Sequence, residues 1–142
     1  MNPYYCNDAV LQLQNVHSLR DRTRQCLEIV TQEGAQLELV VERLPMAAGA
    51  TLAGEVDASI AERRRSVRGF ELASVTARDY PEVSGTEARL TYFDKERGPV
   101  FFHELHYEVA RTRVVYACRS RLSDAAVCDQ WMQTTLQTLR LR

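Results

Sequence analysis

Residues 98–119 read GPVFFHELHYEVARTRVVYACR. Successive side chains of an extended chain point to opposite faces, so Phe101, His103, Leu105, Tyr107 and Val109 share one side and Phe102, Glu104, His106 and Glu108 the other. A tight turn near Ala110 to Thr112 returns Val114, Tyr116 and Cys118, and the stretch predicts a long antiparallel hairpin.

The same period of two recurs outward from this hairpin. Leu27, Ile29 and Thr31 alternate with Cys26, Glu28 and Val30, and Leu37, Leu39 and Val41 with Glu38, Val40 and Glu42; Glu33-Gly34 supplies the turn between them. Val10, Leu11 and Leu13 open an earlier strand. After an extended run interrupted at Pro81, a turn at Ser84-Gly85 leads into Ala88, Leu90 and Tyr92, alternating with Arg89, Thr91 and Phe93. Two stretches carry the helical period instead. Thr51 can cap a helix with Leu52, Val56, Ile60 and Val67 on one side, and Ser123 with Asp124 can start another carrying Val127, Trp131, Met132, Leu136 and Leu139. The order strands, helix, strands, helix predicts an α+β fold: an antiparallel sheet with two amphipathic helices packed on one face and the other face free for a partner.

Composition fits one domain over residues 1–142, with 45% hydrophobic residues and a formal charge of −1. That balance argues against nucleic acid as a partner. Arg63-Arg64-Arg65 shares its helix with Glu55, Asp57 and Glu62 and reads as a solvated face. No run approaches the 18 or more apolar residues of a spanning helix, and the N-terminus lacks a basic region followed by an apolar run, so a cytoplasmic protein without direct membrane insertion is expected. Cys6, Cys26, Cys118 and Cys128 lack CxxC spacing and read as structural thiols.

The chemistry that sequence can signal is sparse. His103 and His106 point to opposite faces of a strand and lack HExxH spacing, so no two-histidine metal site is expected there, and a metal bridging His106 and a neighbouring strand's Glu is the alternative left open. No glycine-rich loop opens a helix, no serine sits in a nucleophile elbow, and no cofactor is implied. An enzyme using Cys26 or His106 would need an activating partner that spacing does not place. The remaining candidate is the uncovered sheet face. With Leu27, Ile29, Leu37, Leu39, Val41, Leu90, Tyr92, Leu105, Tyr107, Val114 and Tyr116 in the core, the outward set includes Cys26, Glu28, Val30, Glu38, Val40, Glu42, Arg89, Phe93, Phe102, Glu104, His106, Val115, Ala117 and Arg119. Apolar stripes among charges suit either a recognition surface or an ordinary solvated sheet.

Several motifs, taken in order, resemble a known family: the strands from Tyr4 to Leu13, Asp21-Arg22-Thr23 ahead of a strand, Val67-Arg68-Gly69-Phe70-Glu71-Leu72 after the helix, the Gly85-Thr86-Glu87-Ala88 turn, the hairpin around Arg111, and a terminal helix with Trp131 and Leu136. Together they resemble the DcrB-like family with its PsbP-like α/β sandwich, and within it the Eag chaperones of type VI secretion effectors. The resemblance implies a non-catalytic homodimer whose concave face holds the N-terminal hydrophobic or amphipathic segment of a PAAR or Rhs effector before loading on the spike. By the same resemblance, strands 24–30, 38–42 and 102–106 line the groove, with Ser59, Arg63 and Val67 from the first helix. The partner-binding set is then Arg24, Cys26, Glu28, Glu38, Val40, Glu42, Ser59, Arg63, Val67, Phe102, Glu104 and His106. Such a groove is acidic. An unpaired carboxylate buried against an apolar segment costs several kcal/mol, so these glutamates are expected to pair with Arg89, Arg119 or His106, or with Arg, Lys, Ser or backbone donors on the client. The alternative reading is a structural or immunity-like secretion component that engages a folded partner domain.

Overall fold

The computed structural model describes residues 2–5, 9–23 and 26–141. Among these residues ten strands and two α-helices follow in the order β1 (Asn2–Tyr5), β2 (Ala9–Leu13), β3 (Val16–Thr23), β4 (Cys26–Thr31), β5 (Gln36–Pro45), α1 (Leu52–Ser66), β6 (Arg68–Asp79), β7 (Ser84–Asp94), β8 (Gly98–Val109), β9 (Thr112–Arg121), α2 (Ala125–Leu136) and β10 (Arg140–Leu141). The predicted hairpin is β8–β9, paired from Val100↔Arg121 to Val109↔Thr112. It forms the middle of a seven-stranded antiparallel sheet ordered β3-β4-β5-β9-β8-β7-β6, and β1, β2 and β10 make a small second sheet.

The class is α+β, but the helices lie on opposite faces of the large sheet, not on one. On β8 the odd side chains meet α2, as His103 Nδ1 lies 2.9 Å from Asp129, while the even ones meet α1, as Glu104 lies 2.5 Å from Arg63. An amphipathic pattern shows that a helix has an apolar side, not which face of a sheet receives it. On the α2 face, the small sheet and α2 together cover Leu27, Ile29, Leu37, Leu39, Val41, Leu105, Tyr107, Val114 and Tyr116. All of these were expected in the core. Trp131 Nε1 donates to the Gln14 carbonyl at 2.9 Å and ties α2 to the segment that joins the two sheets.

β7 departs from the expected faces. Leu90 pairs across from Phe102 and Arg89 across from His103, so Ala88, Leu90 and Tyr92 lie on the α1 face and Arg89 on the α2 face. Both sides of this strand are buried, Ala88 and Leu90 as well as Glu87, so alternation carries no sign of which side meets which layer. The preceding turn sits at residues 80–83, and Gly85 is inside the strand. A Cβ there would stand 2.1 Å from the His106 carbonyl oxygen, which explains the glycine. Residues 16–23 form a strand the polar pattern did not announce, and a 3-10 turn at Leu122–Asp124 precedes α2 where a Ser123 cap was expected.

Candidate functional site

Thr51 caps α1, accepting from Gly54 N at 3.1 Å. The helix buries Val56 and lays Arg63 over the even side of β8. It packs chiefly on β6, β7 and β8, and on the β4, β5 and β9 half of this face Cys26, Val40 and Ala117 stay partly exposed. The strand register orders the floor into cross-strand rows. One runs Glu28, Glu38, Arg119, Phe102, Leu90; the next Cys26, Val40, Ala117, Glu104, Ala88; the third Glu42, Val115, His106, Thr86. The uncovered part of the middle row, Cys26–Val40–Ala117, is a strip of small or aliphatic side chains between two rows that carry charge.

Most of that charge is paired within the protein. Glu104, 1% exposed, takes Arg63 at 2.5 Å and His106 Nε2 at 3.1 Å. Burial alone would push its carboxyl up, but the His106 hydrogen bond and the Arg63 guanidinium outweigh that and hold it below the ordinary carboxylate range. Arg113 approaches His106 Nδ1 at 3.2 Å and can only donate, so Nδ1 accepts and Nε2 carries the proton given to Glu104. Glu38 pairs with Arg119, and Arg97 stands 3.8 Å away. Phe102 lies beneath the guanidiniums of Arg63 and Arg119, 5.5 and 5.8 Å from its centroid, and stacks on Tyr92 at 5.3 Å. At the Glu38 end the floor dips into a cleft of about 470 Å³ lined by Glu28, Val30, Gln36, Arg97 and Arg119 among others.

The structure therefore brings Cys26, Glu28, Glu38, Val40, Glu42, Arg63, Phe102, Glu104 and His106 onto one face. Ser59 stands on α1 one turn before Arg63 and is half-buried. Val67 follows the helix as its C-cap and lines a different hollow with Tyr92 and Phe93. Arg24 lies outside the described residues. Among the expected carboxylate partners, Arg119 and His106 serve, but Arg89 does not. It binds Asp129 at 2.6 Å on the α2 face. There it joins a cluster that sequence reasoning missed: fully buried His103 has Nδ1 2.9 Å from Asp129 and Nε2 3.3 Å from Glu87, with Arg89 3.5 Å from Glu87. Glu87, His103 and Asp129 are 16 to 42 positions apart in sequence, and only the β7–β8 register and the docking of α2 bring them together. Among the described residues no helix is long and apolar enough to cross a membrane, and no group of three or more His, Cys, Asp or Glu side chains is arranged to hold a metal ion.

No family model and no curated protein match the chain. Solved structures do. The Pseudomonas aeruginosa protein PA94, described as a putative regulator of unknown function, has a TM-score of 0.67 at 14% identity over 75% of this chain and 74% of its own. The Saccharomyces cerevisiae Ran-binding protein Mog1p scores 0.61 at 12% identity over 99% and 96%. Cyanobacterial PsbP (CyanoP) from Synechocystis scores 0.54 at 10% over 97% and 84%. The fold is thus PsbP-like.

Proposed function

We propose that the open half of the α1 face is a protein-binding groove, and that the chain is a non-catalytic, homodimeric cytoplasmic chaperone or adaptor of the DcrB-like, Eag type. Its client is the N-terminal hydrophobic or amphipathic segment of a type VI secretion effector of the PAAR or Rhs kind. The observation that carries this reading is the apolar strip Cys26–Val40–Ala117, whose own row continues into buried Glu104, paired with Arg63 and His106, and which runs beside Glu38, paired with Arg119. An apolar segment can lie on such a floor without stranding a buried charge. Four residue steps along β5 take Glu38 to Glu42, about 13 Å at the strand rise, wide enough for one helix or one extended segment. Because the inner glutamates are satisfied, the client needs no cation to match them; Glu42, exposed at the margin, is the place where one would be favoured.

A second reading, a folded partner domain on the same face, draws on the neighbour named as a Ran-binding protein. One experiment separates them. Co-expressed with an effector encoded beside it, the protein should co-purify with the full-length effector, lose an effector truncated at its N-terminus, and lose at least tenfold in retention with Val40→Asp while its unfolding midpoint stays near wild type. Undiminished binding of the truncated effector would replace the segment reading with the folded-domain one.

A further inference from the structure

Cys118 on β9 and Cys128 on α2 meet in the core, both fully buried, with the Cys128 thiol donating to Cys118 Sγ at 3.4 Å. The sheet stands between this pair and Cys26. Cys26 is the cross-strand neighbour of Val40, on the groove side, while Cys118 is that of Leu39, on the α2 side. A disulfide places its sulfurs about 2.05 Å apart. Closing the observed gap therefore takes a little over 1 Å, within reach of side-chain rotation and a slight slide of α2, because the two residues belong to different, separately anchored elements.

We infer that Cys118 and Cys128 form a latent dithiol, a modification site at which peroxide closes a disulfide that pins α2 to β9. One sulfur, as thiolate, attacks the O–O bond of hydrogen peroxide and becomes a sulfenic acid, and the first oxygen leaves as water after proton transfer. The second sulfur attacks the sulfenic sulfur, the S–S bond forms, and the second oxygen leaves as water. Two thiols give up two electrons and one peroxide takes them, with no further reactant. In the closed fold the pair is slow to react: contact with the Cys128 thiol and burial push the Cys118 thiol well up, and no oxidant reaches it. Reaction follows local opening of α2, the element that Trp131 holds down through Gln14. The bond closes a short loop between neighbouring elements and restrains the unfolded chain, so it strengthens the fold and acts on the α2 layer, away from the groove.

The full chain carrying Cys6→Ser and Cys26→Ser, treated with millimolar hydrogen peroxide and mapped without reduction, tests this. The expected result is one linked peptide joining Cys118 to Cys128, lighter by two hydrogen atoms, with a melting temperature raised by about 5–10 °C and restored by dithiothreitol. Adding Trp131→Ala should speed the linkage by roughly tenfold or more, since it frees α2. Oxygen additions on Cys118 or Cys128 without linkage would overturn the inference, as would a linkage that leaves the melting temperature unchanged or lowers it.

Discussion

Trp131→Ala is expected to reduce the free energy of unfolding by about 3–5 kcal/mol, among the larger effects a single truncation can have. Trp131 is 4% exposed and packs in the cluster formed by α2, the small sheet and the α2 face of the large sheet. Its removal opens a cavity between layers that are each held by the others and collapse poorly onto it. It also removes the hydrogen bond to the Gln14 carbonyl, the contact through which α2 grips the link between β2 and β3. Equilibrium unfolding in urea checks this: the midpoint should fall with the slope unchanged. A loss below about 1 kcal/mol would mean that α2 is not anchored through this residue.

Arg63→Ala should cost about 3 kcal/mol, the low end of the range for breaking a buried ion pair, because Arg63 is 26% exposed and His106 still donates to Glu104. The loss comes less from the bond itself than from leaving the Glu104 carboxylate, 1% exposed, with half its compensation. Arg63→Met with Glu104→Gln should recover most of it, since the double variant buries no charge. The pH dependence follows from the same pair. A carboxyl held below its unfolded pKa stabilises the fold above that pKa, and the stabilisation is lost as pH falls through the folded value. The wild-type protein should therefore weaken below the ordinary carboxylate range. In Arg63→Ala the buried carboxyl keeps only the His106 hydrogen bond against desolvation and its pKa rises relative to wild type, so the gap between variant and wild type should narrow on acidification. A gap constant with pH would remove Arg63 from the account of Glu104.

The β8–β9 hairpin and the strands β4 and β5 were legible because each has one strongly apolar side, and a strict period of two then assigns every side chain. The grouping of Cys26, Glu28, Glu38, Val40, Glu42, Phe102, Glu104 and His106 on one face follows from that alone. β7 was not legible in the same way. It is buried on both sides, with Ala88 and Leu90 beneath α1 and Glu87 beneath α2, so its apolar residues do not mark one core. The opposite placement of the helices escaped for a related reason, since the basic last turn of α1 looks solvated until Arg63 is seen turned inward onto Glu104. The Glu87–His103–Asp129 cluster left no local pattern at all, because its geometry exists only after β7, β8 and α2 have assembled.

The groove itself is most directly tested by a photo-crosslinking residue placed at Ala117, on the apolar strip, and in a second protein at Val127, exposed on α2 across the sheet. Each is co-expressed with a candidate PAAR or Rhs effector and irradiated. Crosslinks from Ala117 that map to the effector's N-terminal segment, with none from Val127, are the predicted result. Crosslinks from Val127 alone, or from Ala117 only to a folded domain beyond the effector's N-terminal segment, would contradict it.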